Sequence, residues 1–121
     1  MAWVRIQNNP QQASVWRWQE TGVVTNGETT CLAITRKLSL EAIIYVTFNG
    51  TYTDEKIEIY LKKRPDSGVD AVEFPERLVF YEGGAQSIAF DATQVEYIFG
   101  WEVSGTSPNY DIDIWVTQKE E

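Results

Sequence analysis

Asp111 and Asp113 are the two side chains in this sequence best placed for acid–base chemistry. Two residues apart on a strand, they share a face and stand about 7 Å from one another by strand rise. A pair of carboxylates near that separation is the apparatus of glycoside hydrolysis, provided one is held protonated. Nothing beside them in the chain supplies an apolar pocket to do so, and the pair reads as a solvated strand face. Asp66-Ser67-Gly68-Val69-Asp70 gathers oxygen atoms around a glycine, as calcium would require. It lacks the twelve-residue spacing and closing Glu of an EF-hand, and reads as an ordinary acidic loop. The chain has no histidine and one cysteine, Cys31. Ser-His-Asp and Cys-His catalysis, imidazole metal sites and thiolate zinc sites all fall away. No glycine-rich phosphate loop precedes a helix. An enzyme is not expected, nor a cofactor or a bound metal, and Cys31 is expected to fill core.

Aromatic side chains are more informative, with five Trp, six Tyr and five Phe. Trp115 shares its strand face with Asp111 and Asp113, so it is either covered or exposed among polar groups. Trp16 and Trp18 lie on one face of a strand near the start of the chain. Trp3, Val4 and Ile6 form an apolar group ahead of them. Rings flanked by Asp, Asn and Gln stack sugar rings in sandwich modules and anchor protein interfaces. Trp3, Val4, Ile6, Trp16, Trp18 and Trp115 are therefore the candidate interface residues, with core packing the competing use of each Trp.

The elements that hold these residues repeat at period two. Ile57, Ile59 and Leu61 alternate with Lys56, Glu58, Tyr60 and Lys62; Ile112, Ile114 and Val116 alternate with Asp111, Asp113 and Trp115. Each is a strand with one wet face. Residues 3–7, 14–19, 30–36, 78–81, 86–91, 94–99 and 101–104 read as further strands, and 40–48, apolar on both sides, as a central one. Asn26-Gly27 predicts a type I′ hairpin turn, Glu82-Gly83-Gly84 a second turn, and 64–76 the longest loop, with Pro75 breaking pairing near its end. A helical turn is expected near 68–72 at most. Nine or ten short strands with such turns predict an all-β, antiparallel two-sheet sandwich, jelly-roll-like. Residues 1–12 form an N-terminal arm or edge strand and 13–121 the sandwich domain, within the size of one domain.

The formal charge is −8, and it is uneven: net +2 over residues 1–64 and −10 over 65–121. Phosphate binding needs clustered Lys and Arg, so nucleic acid is not an expected partner. No apolar run is long enough for a membrane-spanning helix, and no signal peptide is visible.

Phe80-Tyr81-Glu82-Gly83-Gly84-Ala85-Gln86-Ser87-Ile88-Ala89-Phe90, then Thr93 to Ile98, a turn at Gly105-Thr106 and a closing strand over 110–117 form a recognisable cadence. Over residues 78–117 it resembles the jelly-roll subunits of bacterial endospore appendages and related sandwich fibre proteins. The resemblance implies polymerisation by sheet augmentation through an N-terminal arm, on a spore or virion surface. Arms of that family carry cysteines. Residues 1–13 here contain none, so Trp3, Val4 and Ile6 would dock without a covalent link. Three uses follow. The first is a non-enzymatic subunit that self-assembles into a homo-oligomer or polymer. The second is a carbohydrate-binding module with Trp115, Trp16 or Trp18 exposed to a glycan. The third is an acidic interaction domain meeting a basic protein, by charge that salt would screen.

Overall fold

Period-two alternation builds ten strands in the computed structural model, which describes residues 2–6, 15–34, 38–92 and 95–118. In chain order they are β1 (Val4–Ile6), β2 (Val15–Val23), β3 (Gly27–Glu28), β4 (Leu32–Ala33) and β5 (Leu38–Phe48). The rest are β6 (Lys56–Arg64), β7 (Val72–Phe80), β8 (Gly83–Ala92), β9 (Glu96–Ser104) and β10 (Tyr110–Gln118). All pairings are antiparallel. One sheet has the order β1-β2-β10-β5-β8; the other runs β3-β9-β6-β7, with β4 also pairing β9. The two stack as a sandwich, the fold class that the alternation predicts.

The inner faces supply the core. Ile112, Ile114 and Val116 of β10 and Leu40, Ala42, Ile44 and Val46 of β5 line one layer. Ile57, Ile59 and Leu61 of β6 and Tyr97, Phe99 and Trp101 of β9 line the other. Burying each large apolar side chain contributes about 1.5–3 kcal/mol against chain entropy. Because inner residues alternate with outer ones, the register that buries them also fixes which side chains each sheet shows to water.

Several local expectations change. Asn26-Gly27 is no hairpin turn: Gly27 pairs with Trp101 of β9, and the Asn26 side chain accepts the Val103 N–H at 2.8 Å. The chain here crosses to the other sheet instead of folding back. Strand β7 begins at Val72, well inside the expected loop. Pro75 sits there at a register shift on a sheet edge, where no ladder donor is required of it. Gly83 and Gly84 are strand residues of β8 at φ of 143° and 130°. The expected strands 94–99 and 101–104 are one, running through Gly100. The helical turn expected over 68–72 does not form: a turn lies at 66–69, closed by Val69 N–H to Asp66 O at 3.1 Å, and Val72 already belongs to β7.

Candidate functional site

A sandwich offers two outer faces, and in this chain they differ in kind. On the β3-β9-β6-β7 sheet the outward residues neutralise one another. Arg77 bonds Glu73 through Nε at 2.8 Å and Glu102 through a terminal nitrogen at 2.9 Å. Lys62 reaches Glu28 at 2.6 Å, and Arg64 reaches Glu96 at 2.9 Å. The Tyr60 ring lies over Gly100, where any added Cβ would strike it. Arg77 stands 4.7 Å from that ring's centroid and the Lys62 ammonium 5.4 Å. The Tyr60 ring in the middle of this face is thus covered by cations.

The other sheet's outer face is open. Cross-strand register sets Arg17 of β2, Trp115 of β10 and Ile43 of β5 in one row, with Gln19, Asp113 and Tyr45 in the next. Arg17 grips Asp113 by a two-point fork, Nε to Oδ1 at 2.9 Å and a terminal nitrogen to Oδ2 at 2.6 Å. That bond holds the guanidinium further above its ordinary pKa. The same guanidinium lies 4.2 Å from the centroid of the Trp115 ring. Arg17 approaches from the β2 side. Toward β5 the indole borders a shallow groove of about 480 Å³ lined by Ile43, Tyr45, Asp113, Trp115 and Thr117. Tyr45 is 48% exposed. It sits diagonally from Trp115, about 7–8 Å away by sheet geometry. Beyond it, β8 sets Ala85, Ser87 and Ala89, all small and exposed, beside Tyr45, Ile43 and Glu41.

The paired aspartates are thereby separated in role. Asp113 is taken by Arg17, while Asp111 accepts the Gly22 N–H at 3.0 Å and Asn49 Nδ2 at 2.9 Å. Of the other predicted interface residues, Trp18 is 3% exposed and belongs to the core. Trp16 is half-buried against that core, with Arg5 5.9 Å from its ring. Trp3 bridges the two sheets within the chain: its ring meets Trp18 at 5.5 Å and Phe99 at 5.7 Å, and its Nε1 donates to Thr30 O at 2.8 Å. Val4 is 57% exposed and Ile6 half-buried, both on β1, which pairs with β2 as an edge strand. Residues 7–12 of the expected arm lie outside the described residues. In the 66–70 loop, Asp66 Oδ1 accepts the Ser67 N–H at 2.7 Å and so caps its own turn. Cys31 is half-buried, and burial, ahead of its contact with Glu96, pushes the thiol up and leaves it protonated.

Three residues escaped the sequence reading. Arg17 is 96 positions from Asp113, so the fork follows only from β2 lying beside β10. Tyr45 carried a signal, since it falls on the parity opposite to Ala42, Ile44 and Val46. Glu55, 1% exposed, has its carboxylate bonded by Thr53 N at 2.8 Å, Asp54 N at 3.2 Å, Thr53 Oγ1 at 2.8 Å and Ser107 N at 3.0 Å. These donors, the Thr53 amide foremost, pull its pKa down to about 2. Four donors around one carboxylate satisfy it without a cation.

No family model matches the chain, and no curated protein matches it. Solved structures do. The chain is similar to the CBM22-1–GH10 modules of endo-1,4-β-D-xylanase 10B from Clostridium thermocellum, a structure complexed with xylohexaose. Identity is 12% and the TM-score 0.51, over 98% of this chain and 24% of that one. The chain therefore spans about a quarter of that protein's length. A family 35 carbohydrate binding module from the same organism aligns at 10% identity and a TM-score of 0.39, over 93% of this chain and 75% of that one.

Proposed function

We propose that this domain is a non-catalytic carbohydrate-binding module, and that it binds glycan across the outer face of the β1-β2-β10-β5-β8 sheet. One observation carries the reading: the Trp115 indole is backed on one side by Arg17 and on the other borders an open groove shared with Tyr45. A ring fixed from behind presents its apolar surface at little entropic cost, and the C–H faces of sugar rings pack on such surfaces. Asp113 and Thr117 in the groove, with Ser87 on the neighbouring strand, supply the polar groups that hydroxyls need. The likeness to a structure that includes a carbohydrate-binding module supports the sandwich scaffold on which such faces are built.

A self-assembling subunit joined by its N-terminal arm has less support. Trp3, the residue with the greatest apolar surface to donate to a neighbour, is already spent inside its own chain.

Trp115→Ala and Tyr45→Ala, each folded by near-ultraviolet circular dichroism, should weaken retention on a glycan-containing native gel. Trp115→Ala should cost about 2 kcal/mol or more, roughly thirtyfold in affinity. Parent protein that migrates unretarded through every neutral and charged glycan gel, with unchanged tryptophan fluorescence, would remove the proposal.

A further inference from the structure

Taking the glycan-binding reading as its basis, we propose that this face selects uncharged polysaccharides and grips them along the chain rather than at an end. The register places one cation on the face among the described residues, Arg17, against four carboxylates: Asp111, Asp113, Glu41 and Asp91. Arg17 has no charge to spare. Its Nε and one terminal nitrogen are bonded to Asp113 at 2.9 and 2.6 Å, and its Cζ lies over the Trp115 ring, 4.2 Å from the centroid. A uronate or sulfate ester brought to the groove would find no free guanidinium. It would meet the mutually neutralised Arg17–Asp113 pair and lie within the field of the other three carboxylates, on a chain whose formal charge is −8. Neutral hydroxyls meet no such penalty and have Asp113, Thr117 and Ser87 as partners.

The shape decides the second half of the inference. The groove lies between the side-chain rows of β5 and β10. Those rows continue to Glu41 and Thr117 at one end and to Thr47 and Asp111 at the other, and among the described residues the register sets no aromatic side chain in either closing row. On the β8 flank the residues beside Glu41, Ile43 and Tyr45 are Ala89, Ser87 and Ala85, too small to form a wall, with Asp91 further along the strand. Recognition of a chain end requires a blind wall against the terminal sugar. A trough open at both ends accepts an internal stretch and lets the polymer run past.

Native gels containing linear xylan, mixed-linkage β-glucan or galactomannan should retard the protein in at least one case, equally at low and high salt. Gels with polygalacturonate, alginate or chondroitin sulfate should not. A neutral oligosaccharide carrying a bulky fluorophore at its reducing end should bind with the same Kd as the unlabelled one. Retardation by the anionic polymers without the neutral ones would overturn the charge selection while leaving glycan binding intact. A large loss of affinity on end-labelling would overturn the mid-chain grip. Silence in all six gels would instead count against glycan binding itself, so the two failures are distinguishable.

Discussion

Glu55 carries a charge into a place where 1% of its surface meets solvent, and it remains ionised there because two loops converge on it. Thr53 and Asp54 supply amides from one side and Ser107 from the other. Asp54 repeats the device, its own carboxylate accepting Thr106 N–H at 2.9 Å and the Thr106 hydroxyl at 3.0 Å; its pKa is lowered chiefly by that backbone bond. A carboxylate whose folded pKa is depressed contributes stability that is fully present above its unfolded pKa and lost as pH falls through the folded value. For Glu55 the window runs from 4.5 down to about 2. Glu55→Gln should lower the urea midpoint at pH 7 and flatten the fall in midpoint across that window. An unchanged slope would mean that the loops hold without the carboxylate. Thr53-Asp54-Glu55 shows in sequence only as polar residues ahead of a strand. Ser107 lies 52 positions away, so nothing local marks Glu55 as buried. Trp115 was legible because its parity with Asp111 and Asp113 is a property of one strand. Its partner Arg17 was not, because that contact depends on strand order.

Strands behave the same way. Alternation within β6 and β10 assigns inner and outer faces correctly, since one segment suffices to show it. Breaks were harder to place, because glycine and proline act according to their neighbours. Gly100 does not end β9; the absence of a side chain is what leaves room for the Tyr60 ring over the backbone. Pro75 was a sound signal of weak pairing, but it marks an edge and not a loop. At the N-terminus, β1 makes only three register pairs with β2, and Trp3 does more to hold it by closing the mouth between the layers. Trp3→Ala should cost about 2 kcal/mol, below the figure for a fully buried Trp because this ring is only partly buried. The same variant should sediment as the parent does. A changed oligomeric state with unchanged stability would return Trp3 to the role of an intermolecular arm.

At the scale of the whole molecule, the two faces divide labour: one is laced with ion pairs, the other keeps its aromatic residues and its groove. Exposed pairs of the first kind each contribute about 0–1 kcal/mol, so their effect is on solubility and on covering Tyr60 more than on stability. The charge asymmetry between the halves of the chain is largely dissolved by the topology. Strands from both halves are interleaved in each sheet, so Arg64 meets Glu96 in one and Arg17 meets Asp113 in the other. What survives is the net acidity. Solubility should pass through a minimum near pH 4.5, where the charge vanishes, and turbidity across a pH series would show it. Sandwich architecture was legible from alternation and strand number together. The open groove was not, since it needs β10 and β5 to be neighbours although 61 residues lie between the ends facing each other.

The position of β10 between β2 and β5 also bears on synthesis. Emerging from a ribosome, β2 and β5 are both exposed long before the strand that joins them is translated. Each waits with one backbone edge unsatisfied, and the layer closes only when residues 110–118 arrive. Folding of this domain is therefore gated by its final ribbon, and a nascent polypeptide stalled before Tyr110 would hold two half-layers open to holdase chaperones.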